Sequence, residues 1–178
     1  MNGVAQGLKE LEQKVAGFDI ENLKENEQFI STVISTSQVA IRNHQKEKLE
    51  ALRNAVLNVA LGSKLSEDQE AMFLGLVDRY TPCHLQILRL FQSPLSLAAE
   101  KGIRPESFSI GSRTQLLEMY YPELKGRGQF YTGVVANLVS DGMLGVRDLG
   151  GMITAQGMFQ KVTTERGDLF LAFITFPT

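Results

Sequence analysis

Apolar positions in the first eighty residues recur at intervals of three and four, the spacing that gathers side chains on one side of an α-helix. Leu8, Leu11 and Val15 predict a short first helix, with Gly17 as its stop and Asp19 as a cap for the next element. From Ile20 the apolar series runs through Leu23, Ile30, Ile34 and Ile41, with Phe29 and Val33 beside it. It predicts a helix with one buried stripe. Ser35-Thr36-Ser37 interrupts the series with residues that bond their own backbone, which marks a place for a bend. A further helix is predicted from His44 to Leu61. It places Leu49, Leu52, Val56 and Val59 on the apolar face, Glu47, Lys48, Glu50 and Arg53 on the other, and Gly62 at its end. Ser66-Glu67-Asp68-Gln69 has the spacing of a capping box and opens a helix carrying Met72, Phe73, Leu76 and Val77.

Thr81-Pro82 restarts the chain, with proline suited to the first helical position. Leu85, Leu88 and Phe91, with Ile87 and Leu90 adjacent, make this helix apolar almost all round, which predicts a central position. Pro94 lies just past its predicted end. Residues 102–112 read as loop. Ser112 caps a short helix bearing Leu116, Leu117 and Tyr120, and Pro122 stops it. After the turn Lys125-Gly126-Arg127-Gly128, the positions Phe130, Val134, Val135, Leu138 and Val139 predict an amphipathic helix ending near Asp141-Gly142. Residues 143–146 then predict a strand, 148–151 a turn, and 159–162 a second strand. Thr164 caps a last helix carrying Leu169, Phe170, Phe173 and Ile174.

From Thr81 onward the order is helix, helix, turn, helix, strand, turn, strand, helix. With Leu138-Val139-Ser140-Asp141-Gly142-Met143-Leu144 entering the first strand, and Thr164-Glu165-Arg166-Gly167-Asp168-Leu169-Phe170 opening the tail, it resembles the winged-helix variant of the helix-turn-helix fold. The resemblance covers about half the chain, and residues 93–111 are longer than the family's usual connection. With the helical region that periodicity gives residues 1–80, suited to dimerisation, the expectation is a mainly α protein, and the resemblance implies a winged-helix-like domain over 81–178 with a small two-stranded wing. Leu85, Leu88, Phe91, Leu116, Val135, Leu138 and Phe170 are its expected core.

Composition narrows the chemistry. The 178 residues carry a net charge of −2, which supplies no global pull toward nucleic acid or an acidic membrane. Cys83 is the only cysteine, so an intrachain disulfide and a four-thiolate metal site are excluded. The start of the chain lacks a basic-then-apolar leader pattern, and the longest apolar run, near residues 169–176, is far shorter than the roughly 20 residues of a membrane span. A cytoplasmic protein with no membrane partner is the expectation.

Candidate sites are few. If the domain reads DNA, its recognition helix is residues 129–142. Arg127, Gln129 and Asn137 then face bases, Tyr131 and Thr132 face phosphates, and Arg113, Lys125, Arg147, Lys161 and Arg166 add charge. Against that, the stretch from Glu118 to Asp168 holds five basic and six acidic residues, and phosphate contacts dominate such affinity. The turn before this helix has the glycines to cradle an anion but lacks the length and the Lys-Ser/Thr ending of a P-loop, so a tight interhelical turn is favoured. Cys83 and His84 are adjacent, but neighbours on a helix point about 100° apart and do not face each other, so Cys83 reads as a small buried hydrophobe. The apolar stripe within residues 20–61 fits either a coiled-coil-like dimer seam, interrupted by Glu27 and Ser37, or packing against the chain's own C-terminal half. The expectation is a non-enzymatic interaction or regulatory protein, self-associating or binding a protein partner, with no cofactor and no metal. The alternatives are a DNA-binding transcriptional regulator and, less favoured, an enzyme with an unrecognised site.

Overall fold

Helix boundaries fall where short polar side chains can take up the unbonded amides of a first turn. In the computed structural model, which describes residues 2–177, Asp19 caps a 3₁₀ turn over Ile20–Glu25 and Asn26 caps helix α2 (Glu27–Arg42) by accepting from the Phe29 amide. The predicted capping box opens α4 (Glu67–Arg79): Ser66 Oγ accepts from the Gln69 amide and Gln69 Oε1 accepts from the Ser66 amide. Ser112 caps α7 (Arg113–Tyr120), and Thr154 caps the short α9 (Ala155–Met158). The remaining elements are α1 (Asn2–Lys14), α3 (Lys46–Ala60), α5 (Pro82–Gln92), α6 (Pro94–Glu100), α8 (Gly128–Ser140) and α10 (Glu165–Ile174). One small antiparallel sheet pairs β1 (Ile110–Gly111) with β2 (Ile153–Thr154). The protein is thus mainly helical.

The chain divides into two compact units. One comprises residues up to Pro82 together with those from Phe170 onward, and the other is Cys83–Leu169. In the first unit α3 packs against α1, α2 and α4, and α2 also packs against α4. Leu11, Leu52, Ala55, Val56, Leu57, Phe73, Val77 and Tyr80 are buried there. Phe170 meets Phe73 and Tyr80 edge to face, at 5.4 and 5.8 Å between ring centres, a geometry that aligns ring edges with ring faces. The α10 C-terminus ends on polar partners. Asn54 Nδ2 donates to the Ile174 carbonyl at 3.1 Å, and Asn58 Nδ2 lies 2.9 and 2.8 Å from the Phe173 and Thr175 carbonyls.

In the second unit Leu85, Leu88, Phe91, Leu116, Val135 and Leu138 are all buried, as their spacing predicts. The start of α10 is fixed by Thr164. Its Oγ1 accepts from the Gly167 amide at 3.0 Å and donates to the Gly142 carbonyl. Gly167 lies so close to the Met143 carbonyl oxygen that a Cβ there would come within 2.3 Å of it.

Several sequence expectations are corrected. The two strands predicted over 143–146 and 159–162 do not form. What remains is a single antiparallel bridge between Leu144 and Thr163, with Gly145 N donating to Val162 O. The sheet is built instead by residues 110–111, which read as loop, and 153–154. Thr154 and Gly157 supply an ST-turn that starts α9 and draws the chain out of extended backbone before residue 159. Pro94 begins α6 rather than merely following α5, because proline suits a first helical turn as well as a stop. Helix α2 runs unbroken through Ser35-Thr36-Ser37, whose Thr36 and Ser37 hydroxyls donate back to the Thr32 and Val33 carbonyls. The largest correction concerns α2's isoleucines, which are not buried.

Candidate functional site

Helix α2 turns polar side chains as well as Val39 toward its own unit. Toward α4 it presents Gln28 and Thr32, which donate to the two oxygens of the buried Glu70 at 2.9 and 3.3 Å. At its other end Arg42 and Asn43 donate to the two oxygens of Asp78 at 2.9 and 3.2 Å. The buried positions of α2 are Thr32, Thr36 and Val39. Polar side chains can face inward here because each finds a partner: charge-assisted bonds to Glu70 and Asp78, and back-bonds along the helix. At about 100° per residue, Ile30, Ile34 and Ile41 then fall on the opposite side. They are 42%, 55% and 86% exposed. From Gln28 through Ile41 the helix carries no charged residue.

Beside this stripe lies a groove of about 370 Å³ between α1, α2 and α3. Ser37 and Ala40 of α2 form one wall, continuous with the stripe; Val4, Leu49, Leu52 and Val56 supply apolar surface, and Lys46, Glu50 and Arg53 polar groups. Leu49, expected on the buried face of α3, is 38% exposed here. Lys48, expected on the solvated face, is buried: its ammonium donates to the Asp78 carbonyl at 2.6 Å, and burial holds its pKa below the ordinary lysine value against the opposing pull of the Asp78 charge. The Arg53 guanidinium sits over the Phe176 ring, 5.4 Å from its centre, with Nε buried and unpartnered among the described residues.

The residues proposed for base and phosphate contact occupy several sites of the second unit. Arg113 Nη2 donates to the Gly157 carbonyl at 2.9 Å, and burial lowers the pKa of its guanidinium. Lys161 pairs with Asp168 at 2.5 Å; Thr163 Oγ1 donates to the same carboxylate at 2.7 Å. Burial alone raises the Asp168 pKa, but the hydrogen bonds from Lys161 and Thr163 and the Lys161 charge outweigh it and hold the carboxyl below its ordinary value. Arg127 lies over the Phe130 ring at 4.5 Å. Asn137 Nδ2 is 3.5 Å from His84 Nε2. Tyr131 is buried and donates to Glu118 at 2.9 Å; burial, then that bond, push its phenol up. It is therefore turned away from the phosphate role assigned to it. Lys125, Gln129, Thr132 and Arg147 are exposed. Thr132 and Arg147 share a small cleft of about 160 Å³ with Asp148, whose carboxylate accepts from the Gly150 amide.

Gly126 has a φ of +76°, which accounts for the glycine in the turn before α8 as a backbone requirement. Cys83 and His84 are both buried. Burial, the largest influence, pushes the Cys83 thiol up; Arg127 opposes it and Glu123 adds to it. Among the described residues no three His, Cys, Asp or Glu side chains come together to hold a metal, and no helix is long and apolar enough to cross a membrane.

The outward isoleucines were missed by periodicity alone, which ranks Ile above Thr for burial. The available signal was the absence of charge from Gln28 through Ile41 together with threonines at 32 and 36 on the face opposite the isoleucines. No family model, curated protein or solved structure matches this chain.

Proposed function

We propose that this protein is a non-enzymatic interaction or regulatory protein that works by binding protein through the outer face of α2, with the region after Thr81 serving as a winged-helix-like structural module. The observation that carries this reading is the exposure of Ile30, Ile34 and Ile41 along one side of a helix whose buried positions are Thr32, Thr36 and Val39. Scattered single apolar residues on a surface need no explanation, whereas a contiguous stripe beside a groove marks an interaction site. The test compares wild type with Ile34→Lys/Ile41→Lys, each immobilised and exposed to the same chain and to cell extract. Retention of protein, self included, by wild type and its loss in the variant support the reading. Equal retention by both overturns it.

A DNA-binding regulator is the second reading. It is favoured by the exposed Lys125, Arg127, Gln129 and Thr132 at the start of α8. The commitment of Arg113, Lys161 and Asn137 to partners inside the same unit weighs against it, since affinity for a duplex rests on free basic groups at phosphates. Salt-dependent binding to random duplex at low ionic strength, weakened by Lys125→Ala and Arg127→Ala, is its signature. Absence of such binding removes it.

A further inference from the structure

We infer that the occupant of the α2 face is a second copy of this chain, docked α2 against α2 in antiparallel orientation, with Ile30 of one copy over the partner's Ile41 and Ile34 against the partner's Ser37. This rests on the reading of α2 as a protein-binding face and names its partner.

Three features of α2 point to that pairing. The first is register. Ile30, Ile34, Ser37 and Ile41 are spaced 4, 3 and 4, the alternation of a coiled-coil seam. A parallel in-register pair sets Ser37 against Ser37 and leaves one layer of the seam without an apolar side chain. The antiparallel register places an isoleucine in every layer. The second is shape. Ser37 is small and forms part of the wall of the groove, so an isoleucine set opposite it reaches the groove beside Ala40 and Leu49. The third is charge. At the start of α2 stand Glu25 and Glu27, beside Lys24; at and just past its end stand Arg42 and Lys46, beside Glu47; and nothing from Gln28 through Ile41 is charged. Antiparallel docking brings the acidic end of each copy to the basic end of the other, whereas parallel docking sets like against like. Arg42 and Lys46 already lie near Asp78 and Glu50. Their part is thus orientation at the rim, with the isoleucines supplying the attraction.

The test uses the full chain with single cysteines introduced at the seam, Ile30→Cys and Ile41→Cys, both at exposed positions. Unsubstituted protein, whose Cys83 is buried, is the control. A disulfide requires the two Cα atoms within about 7 Å. Antiparallel docking therefore predicts a covalent dimer when the two variants are mixed and oxidised, and loss of that product when either is oxidised alone. Cross-linking of Ile30→Cys with itself at the level of the mixture overturns the orientation. A dimeric wild type whose mixed variants stay uncross-linked overturns the surface. A wild type that remains monomeric, yet retains other proteins in a manner abolished by Ile34→Lys/Ile41→Lys, overturns self-association and leaves the binding-face reading standing. Loss of all stripe-dependent retention overturns both.

Discussion

Single residues decide more here than their chemistry suggests. Gly167 sits inside a helix, where alanine is ordinarily favoured by about 1 kcal/mol. Its nearest neighbour, however, is the Met143 carbonyl, 2.3 Å from where a Cβ would stand. Backbone cannot swing aside as a side-chain tip can, so the clash wins. Gly167→Ala is expected to lower stability by about 2 kcal/mol in urea unfolding, within the range for overpacked sites. Asp168 offers a pH-dependent counterpart. Its carboxyl is held below its ordinary value by Lys161 and Thr163, so its ionised form stabilises the fold at all pH values above the ordinary carboxylate range. That contribution fades as pH falls through the lowered native value. Asp168→Asn is expected to cost about 1–2 kcal/mol at pH 7, a figure reduced for the half-exposed Lys161. The gap from wild type should close when unfolding is repeated in acid. A gap that persists there contradicts the assignment.

At the scale of elements, the helices were largely legible from sequence because their signals are local. A cap, an apolar repeat and a stop residue lie within one or two turns of each other. The Ser66 box is the clearest case, and Ser66→Ala should lower the urea midpoint by the equivalent of about 1 kcal/mol without changing the slope. Strands were not legible. Residues 143–146 and 159–162 have strand-like composition, yet the paired residues are Ile110–Gly111 and Ile153–Thr154, two-residue strands whose partners are set by contacts more than forty positions apart. Thr164, legible as a cap, does cap α10, and Gly167 packs closely on Met143. Helix α2 was legible as a helix and illegible in orientation. Which of its faces turns inward depends on Glu70 and Asp78, carboxylates on a different helix that make Gln28, Thr32 and Asn43 satisfied inside. Within α2 the cue is the pair of threonines at 32 and 36 opposite the isoleucines, and it becomes decisive only with those partners in place. The candidate site was therefore visible as a stripe, with its exposure hidden.

For the molecule as a whole, near-neutral charge and the lack of a local basic excess turn attention from polyanions to the apolar side chains left in water, among them the isoleucines of α2. Burying an exposed isoleucine is worth up to about 1.5–3 kcal/mol. A symmetric α2 pair of the kind proposed would hide six partly exposed isoleucines, three from each copy; scaled by their exposure this is about 5–11 kcal/mol, of the same order as the translational and rotational freedom lost on association. Because the isoleucines make little of the unit's own core, replacing them should leave thermal unfolding of the isolated chain within about 0.5 kcal/mol while removing association. The most direct measurement is therefore the mass of the full chain by sedimentation equilibrium across a wide concentration range, for wild type and for Ile34→Lys/Ile41→Lys. A concentration-dependent dimer in wild type, and a folded monomer throughout in the variant, is the predicted result. A wild type that stays monomeric at every concentration, or a variant that dimerises equally well, contradicts it.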